Sequence, residues 1–496
     1  MDTVPAHGSR SVLFDMRGFK FALVCLFLLT LAFSGIRFGV AYAADYILSD
    51  TEEQLAATEL RLAEIKAKRT MRSLKELEFH KKFREYETTL ATRTIGTASI
   101  DTLRLAHEKM VGADLSTMTL YLYEKGEPVA EYPILSKGRR GSQWETPTGL
   151  YEIELKLENH FSSIGQVYMP YSMQFFGNFF IHGWPYYPGG EPVEEGFSGG
   201  CIRLSTDDAQ AVFAFADTQT PIFIWDAGSA ETADVALTER ALPPLSASAF
   251  LVADVATGEV YAERSADKKH PIASLTKLVT ALVANETIHY GRTITVSAED
   301  RMQTEGTPGA LLANDTFTVG DLLYALIMES NNAVSYSLAR YFGQNTFVEW
   351  MNDKARAIGM TDTALEDPSG ISEHNVSTAS DLFRLARYIH DSQSFVLNMS
   401  RQPKKTITAE NGRRYSLNNF NHFSGVEGFL GGKTGFTEEA GQTMLTVFEI
   451  PVGEQKATIA IIVLDSKNRK SDVEKLLAWF TRSARSEPVA ITSSPQ

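Results

Sequence analysis

Residues 270–283 read HPIASLTKLVTALV, with a serine at 274 and a lysine three positions on at 277. The stretch predicts a helix opened by Pro271 and Ser274. Side chains three apart share one face of a helix, so Ser274 and Lys277 are expected to meet. A hydroxyl beside an amine is a nucleophile beside a base, provided that the amine has lost its proton. Burial and neighbouring cations both lower a lysine pKa, and Lys433 is such a cation. A serine near a helix start is also an ordinary cap, so the pair has to be read with its surroundings.

Before this stretch, SAFLVADVATGEVYAE reads as two alternating strands around an Ala-Thr-Gly turn. After it, DLLYALIMESNNAVSYSLARYF reads as two helices meeting at Ser330-Asn331-Asn332. FLGGKTGFTEEAGQTMLTVF leads into strands, and KATIAIIVL is another. A last helix is expected over about 471–483, ahead of a Ser/Pro tail at 484–496 that reads as disordered. Helices between flanking groups of strands predict an α+β domain over 247–483.

Three short motifs stand along this domain in order: S-x-x-K at Ser274–Lys277, S-x-N at Ser330–Asn332 and K-T-G at Lys433–Gly435. With DPSGISEHNVSTASDL at 367–382, they resemble the serine D-alanyl-D-alanine carboxypeptidases, the low-mass penicillin-binding protein group. The resemblance implies a β-lactamase/transpeptidase-like fold with Ser274 as nucleophile and Lys277 as its base. It implies that Ser330 and Asn332 pass protons and hold the substrate amide, and that Lys433 and Thr434 bind a terminal carboxylate. Gly435 would let a substrate strand lie alongside its own. The oxyanion donors would be the backbone N–H groups of Ser274 and Phe436. β-Lactams are the expected acylating inhibitors. No E-x-x-L-N segment lies between Asn332 and Lys433, since SLNN at 416–419 has Arg414 in place of the glutamate. Slow acylation with poor turnover is therefore expected, not rapid penicillin hydrolysis.

A second constellation lies upstream. MTLYLYEKGEPVAEYPIL reads as a hairpin, TPTGLYEIELKL follows with the same period, and MPYSMQFFGNFFIHG is apolar and aromatic. The strands end near PIFIW, residues 221–225, which predicts a mainly-β domain over 100–226. Within it stands GFSGGCIRLS at 196–205. The chain has two cysteines, Cys25 in the N-terminal apolar run and Cys201 here. A lone thiol is commonly a small buried hydrophobe. It is a nucleophile when an imidazole can take its proton. His182 is the candidate base, nineteen residues ahead of Cys201.

His182, Ser198, Gly200, Cys201, Ile202 and Arg203, with TPTGLYEI and MPYSMQFF, resemble the YkuD-type L,D-transpeptidases of bacterial cell walls. The resemblance implies that His182 is the catalytic histidine. Gly200 lets substrate approach and frees amide N–H groups for an oxyanion. Ser198 and Arg203 are expected to orient the base and add positive field, though Arg203 reads equally as a structural holder of the turn. Gly199 stands where the family usually has histidine, which leaves the nucleophile–base pair intact and puts support of the loop in question.

The N-terminus bears on compartment. Arg10, Arg17 and Lys20 precede the apolar run FALVCLFLLTLAFSGI, then comes AYAAD. Two readings stay open for residues 1–44: a secretory signal cleaved near Ala43, or an uncleaved membrane anchor. Both place the rest outside the cytoplasm, in the periplasm or cell envelope. Residues 45–98 hold a Gly- and Pro-free stretch, 51–90, rich in Glu, Lys, Arg, Leu and Ala, which predicts a helical spacer. Its apolar seam admits a homodimeric coiled coil at both ends, but Arg69, Arg72 and Glu76 break it in the middle. Residues 227–246 read as an acidic, Pro-containing linker.

The whole is expected to be multidomain and to work on peptidoglycan stem peptides. The net charge of −14 argues against nucleic acid as the main partner, and neither site calls for a metal or organic cofactor. The two resemblances imply one sequence of reactions: Ser274 trims pentapeptides to tetrapeptides, and Cys201 crosslinks the tetrapeptides. Two alternatives stay open. The sites could be hydrolytic, as a D,D-endopeptidase and an L,D-hydrolase. Or the chain could be a peptidoglycan-binding scaffold with one or both sites inactive, for which Gly199 is the argument.

Overall fold

A computed structural model describes residues 97–226, 235–237, 241–303 and 311–486. The N-terminal signal or anchor, all but the last two spacer residues and most of the linker lie outside the described residues. Among the described residues no helix is long and apolar enough to cross a membrane.

The first domain is mainly β, as the alternating sequence predicts. After helix α1 (Thr97–Ala106), strands β1 (Lys109–Asp114), β2 (Thr119–Glu124), β3 (Glu127–Pro133), β4 (Gly149–Glu152) and β9 (Pro221–Trp225) form one sheet in the order β3-β2-β1-β9-β4. The β2–β3 hairpin turns at Lys125 and Gly126, both at positive φ, as a two-residue turn requires. A second sheet holds β5 (Leu155–Ser162), β6 (Val167–Phe176), β7 (Phe179–His182) and β8 (Ile202–Arg203). Val111, Leu120, Ile222 and Ile224 of the first sheet meet Met173, Phe175, Ile181 and Ile202 of the second in one buried core. Helix α2 (Thr206–Phe215) starts directly after the cysteine motif, where Ser205 accepts a hydrogen bond from the Asp208 N–H at 3.0 Å.

The second domain is α+β. Strands β10 (Ala249–Asp254), β11 (Val260–Arg264), β12 (Phe429–Thr437), β13 (Gly441–Val452) and β14 (Gln455–Ser466) form an antiparallel sheet in the order β11-β10-β14-β13-β12. Both faces are covered, which is why its central strands read as continuous apolar runs. Leu251, Ala253, Ile462 and Leu464 face a helical layer. Phe250, Val252, Ile461 and Val463 face the last helix, Arg469–Ser483. The helical layer is built on α3 (Thr276–Thr287), every residue of which is buried, with α4 (Val319–Met328), α5 (Asn332–Arg340), α6 (Gln344–Ala357) and α7 (Ala379–Ser392) around it.

Three local readings differ. The helix at Ser274 does not open at Pro271; that residue pairs with Val376 in a short strand, and a 3-10 turn, Ala273–Leu275, precedes α3. Val235–Leu237, within the sequence linker, pairs antiparallel with Ala484–Ser486, which the sequence puts in a disordered tail. Both stretches are short and pair with each other from opposite ends of the domain, so neither carries a local pattern.

Two candidate active sites

The serine site assembles at the end of α3. Ala273 holds φ +48°, a conformation that costs an L-residue energy and that the surroundings must enforce. Gly370 presses there: a Cβ on it would lie 2.0 Å from the Ala273 carbonyl oxygen. Ile272 N–H donates to the Asn375 carbonyl at 3.0 Å, and Asn375 Nδ2 reaches Thr276 Oγ1 at 3.1 Å. The stretch at 367–375 is thus a cradle for the serine turn, folded on Asp367, whose carboxylate accepts from the Ser369, Gly370 and Ser372 N–H groups.

Lys277 Nζ lies 2.8 Å from Ser274 Oγ and also donates to the Ser369 carbonyl. The lysine is fully buried, and burial pulls its pKa down to about 7, with Asp367 opposing. A large fraction is therefore free amine at neutral pH. The sequence reading gave Lys433 a share in this. The structure assigns the cause to burial, and the repulsion between the two lysines weighs on Lys433. Burial first, then Lys277 and Arg469, push Lys433 well below the usual range.

Lys433 Nζ donates to Ser330 Oγ and to the Thr434 carbonyl, each at 2.8 Å. Ser330 sits at φ +55° between α4 and α5, a strained link that aims its hydroxyl at the site. Asn332 opens α5, half-buried, and no hydrogen bond occupies its side chain among the described residues. Lys433, Thr434 and Gly435 lie on β12, antiparallel to β13. A Cβ on Gly435 would lie 2.9 Å from the Ser274 nitrogen, so glycine is what lets this strand pass close to the Ser274 backbone. Phe436 follows with its ring exposed. Arg469 was not singled out in the sequence. Its guanidinium is partly buried, donates to the Gly435 carbonyl at 2.6 Å and keeps a buried Nε without a partner among the described residues.

The cysteine site lies where β7 and β8 run parallel, with His182 beside Arg203 in register. Ile181 and Ile202 point into the main core, whereas Phe180 and Cys201 share a separate buried cluster with Val167 and Met169. Alternation along the strands puts His182 on the face of Phe180 and Cys201. Nδ1 of His182 lies 2.6 Å from the Gly183 carbonyl, which only a protonated nitrogen satisfies, so Nε2 is left as the basic nitrogen. Burial holds this imidazole down at about 4 and pushes the Cys201 thiol up to about 11, against the Phe180 N–H and the Arg203 charge. Both groups are therefore neutral at neutral pH. The thiol points to the Asn178 carbonyl at 3.8 Å.

Ser198 differs from its expected role. Its hydroxyl donates to the Cys201 carbonyl at 2.6 Å and accepts from the Gly200 N–H at 3.1 Å, so it ties the loop at Cys201, and among the described residues no hydrogen bond joins it to His182. The Gly183 carbonyl holds the His182 ring instead. Arg203 is half-buried, 5.6 Å from the Trp184 ring, with an Nε that finds no partner among the described residues. Thr146, from the TPTG stretch, donates to the Gly200 carbonyl at 2.8 Å.

Gly200 holds φ +100°, and a Cβ there would meet the Phe179 ring at 2.2 Å; a Cβ at Gly199 meets nothing within 4 Å. Gly200→Ala is therefore expected to cost about 2–4 kcal/mol in denaturant unfolding, and Gly199→Ala under about 0.5 kcal/mol.

Comparison with known proteins finds a family match for each of the two domains. The family model for D-alanyl-D-alanine carboxypeptidase, Peptidase_S11, matches residues 236–468, and that for the L,D-transpeptidase catalytic domain, YkuD, matches 108–224. A D-alanyl-D-alanine endopeptidase of Pseudomonas aeruginosa is 32% identical over 247 residues, 48% of this chain and 77% of that protein. The D-alanyl-D-alanine carboxypeptidase DacB2 of Mycobacterium tuberculosis is 30% identical over 208 residues, 41% of this chain and 71% of that protein. A solved D-alanyl-D-alanine carboxypeptidase from Mycobacterium tuberculosis H37Rv covers 50% of this chain and 95% of its own at 25% identity, with a TM-score of 0.45. The chain belongs to the D-alanyl-D-alanine carboxypeptidase family and joins to it an L,D-transpeptidase catalytic domain, which makes it a peptidoglycan-modifying enzyme.

Proposed function

We propose that the chain is a bifunctional acyl-transfer enzyme, with Ser274 trimming pentapeptide stems and Cys201 crosslinking the tetrapeptides that result. The observation that carries it is the buried Lys277 amine, 2.8 Å from Ser274 Oγ with a pKa near 7. Ser274 attacks the carbonyl of the penultimate D-alanine and Lys277 takes its proton. The Ser274 and Phe436 N–H groups receive the oxyanion, Arg469 supplies positive charge for the terminal carboxylate, and Lys433 and Thr434 donate hydrogen bonds to it. The C–N bond breaks, D-alanine leaves with a proton, and water releases the tetrapeptide from Ser274.

Cys201 then attacks the carbonyl of the third stem residue, with His182 Nε2 taking the thiol proton. The fourth residue, D-alanine, leaves with that proton, and an amine of a second stem displaces the thiolate. Tethering two sites on one chain raises the local concentration of the intermediate. The envelope is the expected compartment, and β-lactams are the expected acylating inhibitors of Ser274.

A second reading of the serine site has support of its own, since the relative from Pseudomonas aeruginosa is a D-alanyl-D-alanine endopeptidase. Mass spectrometry of stem peptides and crosslinked dimers, incubated with the wild type, Ser274→Ala and Cys201→Ala, separates these. Cys201→Ala is expected to stop at tetrapeptide, and Ser274→Ala to leave pentapeptide untrimmed while still joining supplied tetrapeptides. Pentapeptide trimming by Ser274→Ala would sink the coupled scheme. Cleavage of 4–3 dimers with pentapeptide left intact would assign the serine site to endopeptidase action.

A further inference from the structure

The two catalytic domains meet across a buried polar seam. Lys354 on α6 is fully buried. Its ammonium lies 2.6 Å from Glu286 Oε2, donates to the Tyr151 hydroxyl at 2.8 Å and stands 3.3 Å from the Tyr388 hydroxyl. The Tyr388 hydroxyl donates to Glu286 Oε1 at 2.8 Å. Lys354 also stands 4.3 Å from the centre of the Phe176 ring. Tyr151 and Phe176 belong to the cysteine domain; Lys354, Glu286 and Tyr388 belong to the serine domain. Buried ion pairs add little net stability, but breaking one leaves a charge without compensation.

Glu286 is in the last turn of α3, whose first turn carries Lys277. The last carbonyls of a helix have no partner within it. That of Glu286 accepts from the Asn178 N–H at 3.0 Å, across the seam in the β6–β7 turn. The fit is tight: Gly177 holds φ +51°, and a Cβ on it would lie 2.5 Å from the Glu286 carbonyl oxygen. The Asn178 carbonyl in turn takes the Cys201 S–H. The other side of the nucleophile loop is supported in the same way. Thr146, which holds Gly200, lies in a loop where Gln143 accepts from Asn285 Nδ2 at 2.9 Å and Thr148 Oγ1 meets Ser392 Oγ at 2.7 Å.

We infer that the serine domain positions the cysteine nucleophile: α3, with the Ser274–Lys277 pair at one end, fixes Asn178 at the other through the Glu286 carbonyl and the Lys354 latch, and Asn178 fixes the Cys201 sulfur. Asn178, Glu286 and Lys354 are positioning residues for the cysteine reaction. This rests on the reading of Cys201 as a nucleophile served by His182. An acceptor for the S–H and a dry surrounding both favour thiol over thiolate. Loosening the turn removes the acceptor and admits water, so the thiol ionises more readily, while the sulfur loses its alignment for acyl transfer.

The test uses the full chain and iodoacetamide, with alkylation at Cys201 followed by peptide mass spectrometry from pH 5 to 11. The proteins are the wild type, His182→Ala, Lys354→Met and Gly177→Ala, with penicillin acylation of Ser274 reporting an intact serine domain. Lys354→Met and Gly177→Ala are expected to lower the alkylation midpoint by about one pH unit or more. They are expected to cut tetrapeptide crosslinking by about tenfold or more and to leave Ser274 acylation within about twofold. If Lys354→Met loses Ser274 acylation, Gly177→Ala decides. A midpoint and crosslinking rate unchanged from wild type overturn the positioning role alone. A wild type that crosslinks no better than His182→Ala overturns the Cys201 reading, and the positioning role with it.

Discussion

Lys277→Met should slow penicillin acylation of Ser274 by about 10²- to 10⁴-fold, the range that loss of a general base produces, without unfolding the protein. The amine is the group 2.8 Å from Ser274 Oγ, and its pKa of about 7 keeps much of it able to accept a proton. Methionine nearly preserves volume and removes the amine. The stability effect has a definite sign. An unfolded lysine titrates near 10.4, and this one titrates near 7 in the fold. Between those values the unfolded chain holds more protons, so the native protein gains stability as pH rises from about 7 to about 10 and bears the full cost of the buried charge below 7. Methionine removes that cost and leaves the Ser369 carbonyl without its Lys277 donor, a loss of about 1–3 kcal/mol. At pH 6 the variant is therefore expected to melt within a few degrees of wild type or above it. Stopped-flow acylation and calorimetry on one preparation check both halves. Acylation at the wild-type rate would remove Lys277 from the chemistry.

How far the sequence reached is clearest at particular residues. The pairing of Ser274 with Lys277 follows from helical spacing, and the structure brings the two together across the join between a 3-10 turn and α3. The central strands were legible because a sheet covered on both faces has to be apolar throughout. The strained start at Ala273 was not legible, because Gly370 imposes it from a distant part of the chain. Nor was the work of Ser198. A hydroxyl three residues from a cysteine serves equally to orient a base or to tie a loop, and only the position of the Cys201 carbonyl decides. Gly183 acts through its carbonyl, which has no signature in a side-chain alphabet. Asn178, Glu286 and Lys354 lay outside any motif because they act across a domain seam, and nothing local marks a seam.

His182→Ala should reduce tetrapeptide crosslinking by about 10²- to 10⁴-fold and change the form of its pH dependence. With the imidazole at about 4 and the thiol at about 11, the reactive pair is the neutral one. Wild-type turnover at Cys201 is then expected to be level across neutral pH, with its acid limb near 4. In the variant only thiolate can attack, so the residual rate should climb about tenfold per pH unit towards the thiol pKa. The same values separate the two sites in the wild type. At about pH 5.5, only roughly 3% of Lys277 is free amine against half at its midpoint, so pentapeptide trimming should fall by about fifteenfold from pH 7, while His182 remains almost wholly neutral. Folding sets the lower bound. An unfolded histidine titrates near 6.5 and this one near 4, so the unfolded chain takes up the proton first and stability declines as pH falls through that window. Pentapeptide trimming and tetrapeptide crosslinking, measured on one preparation from pH 4.5 to 9, give two acid limbs to compare. Limbs that coincide would mean that burial does not set the two bases apart, and that the sites share a titrating step.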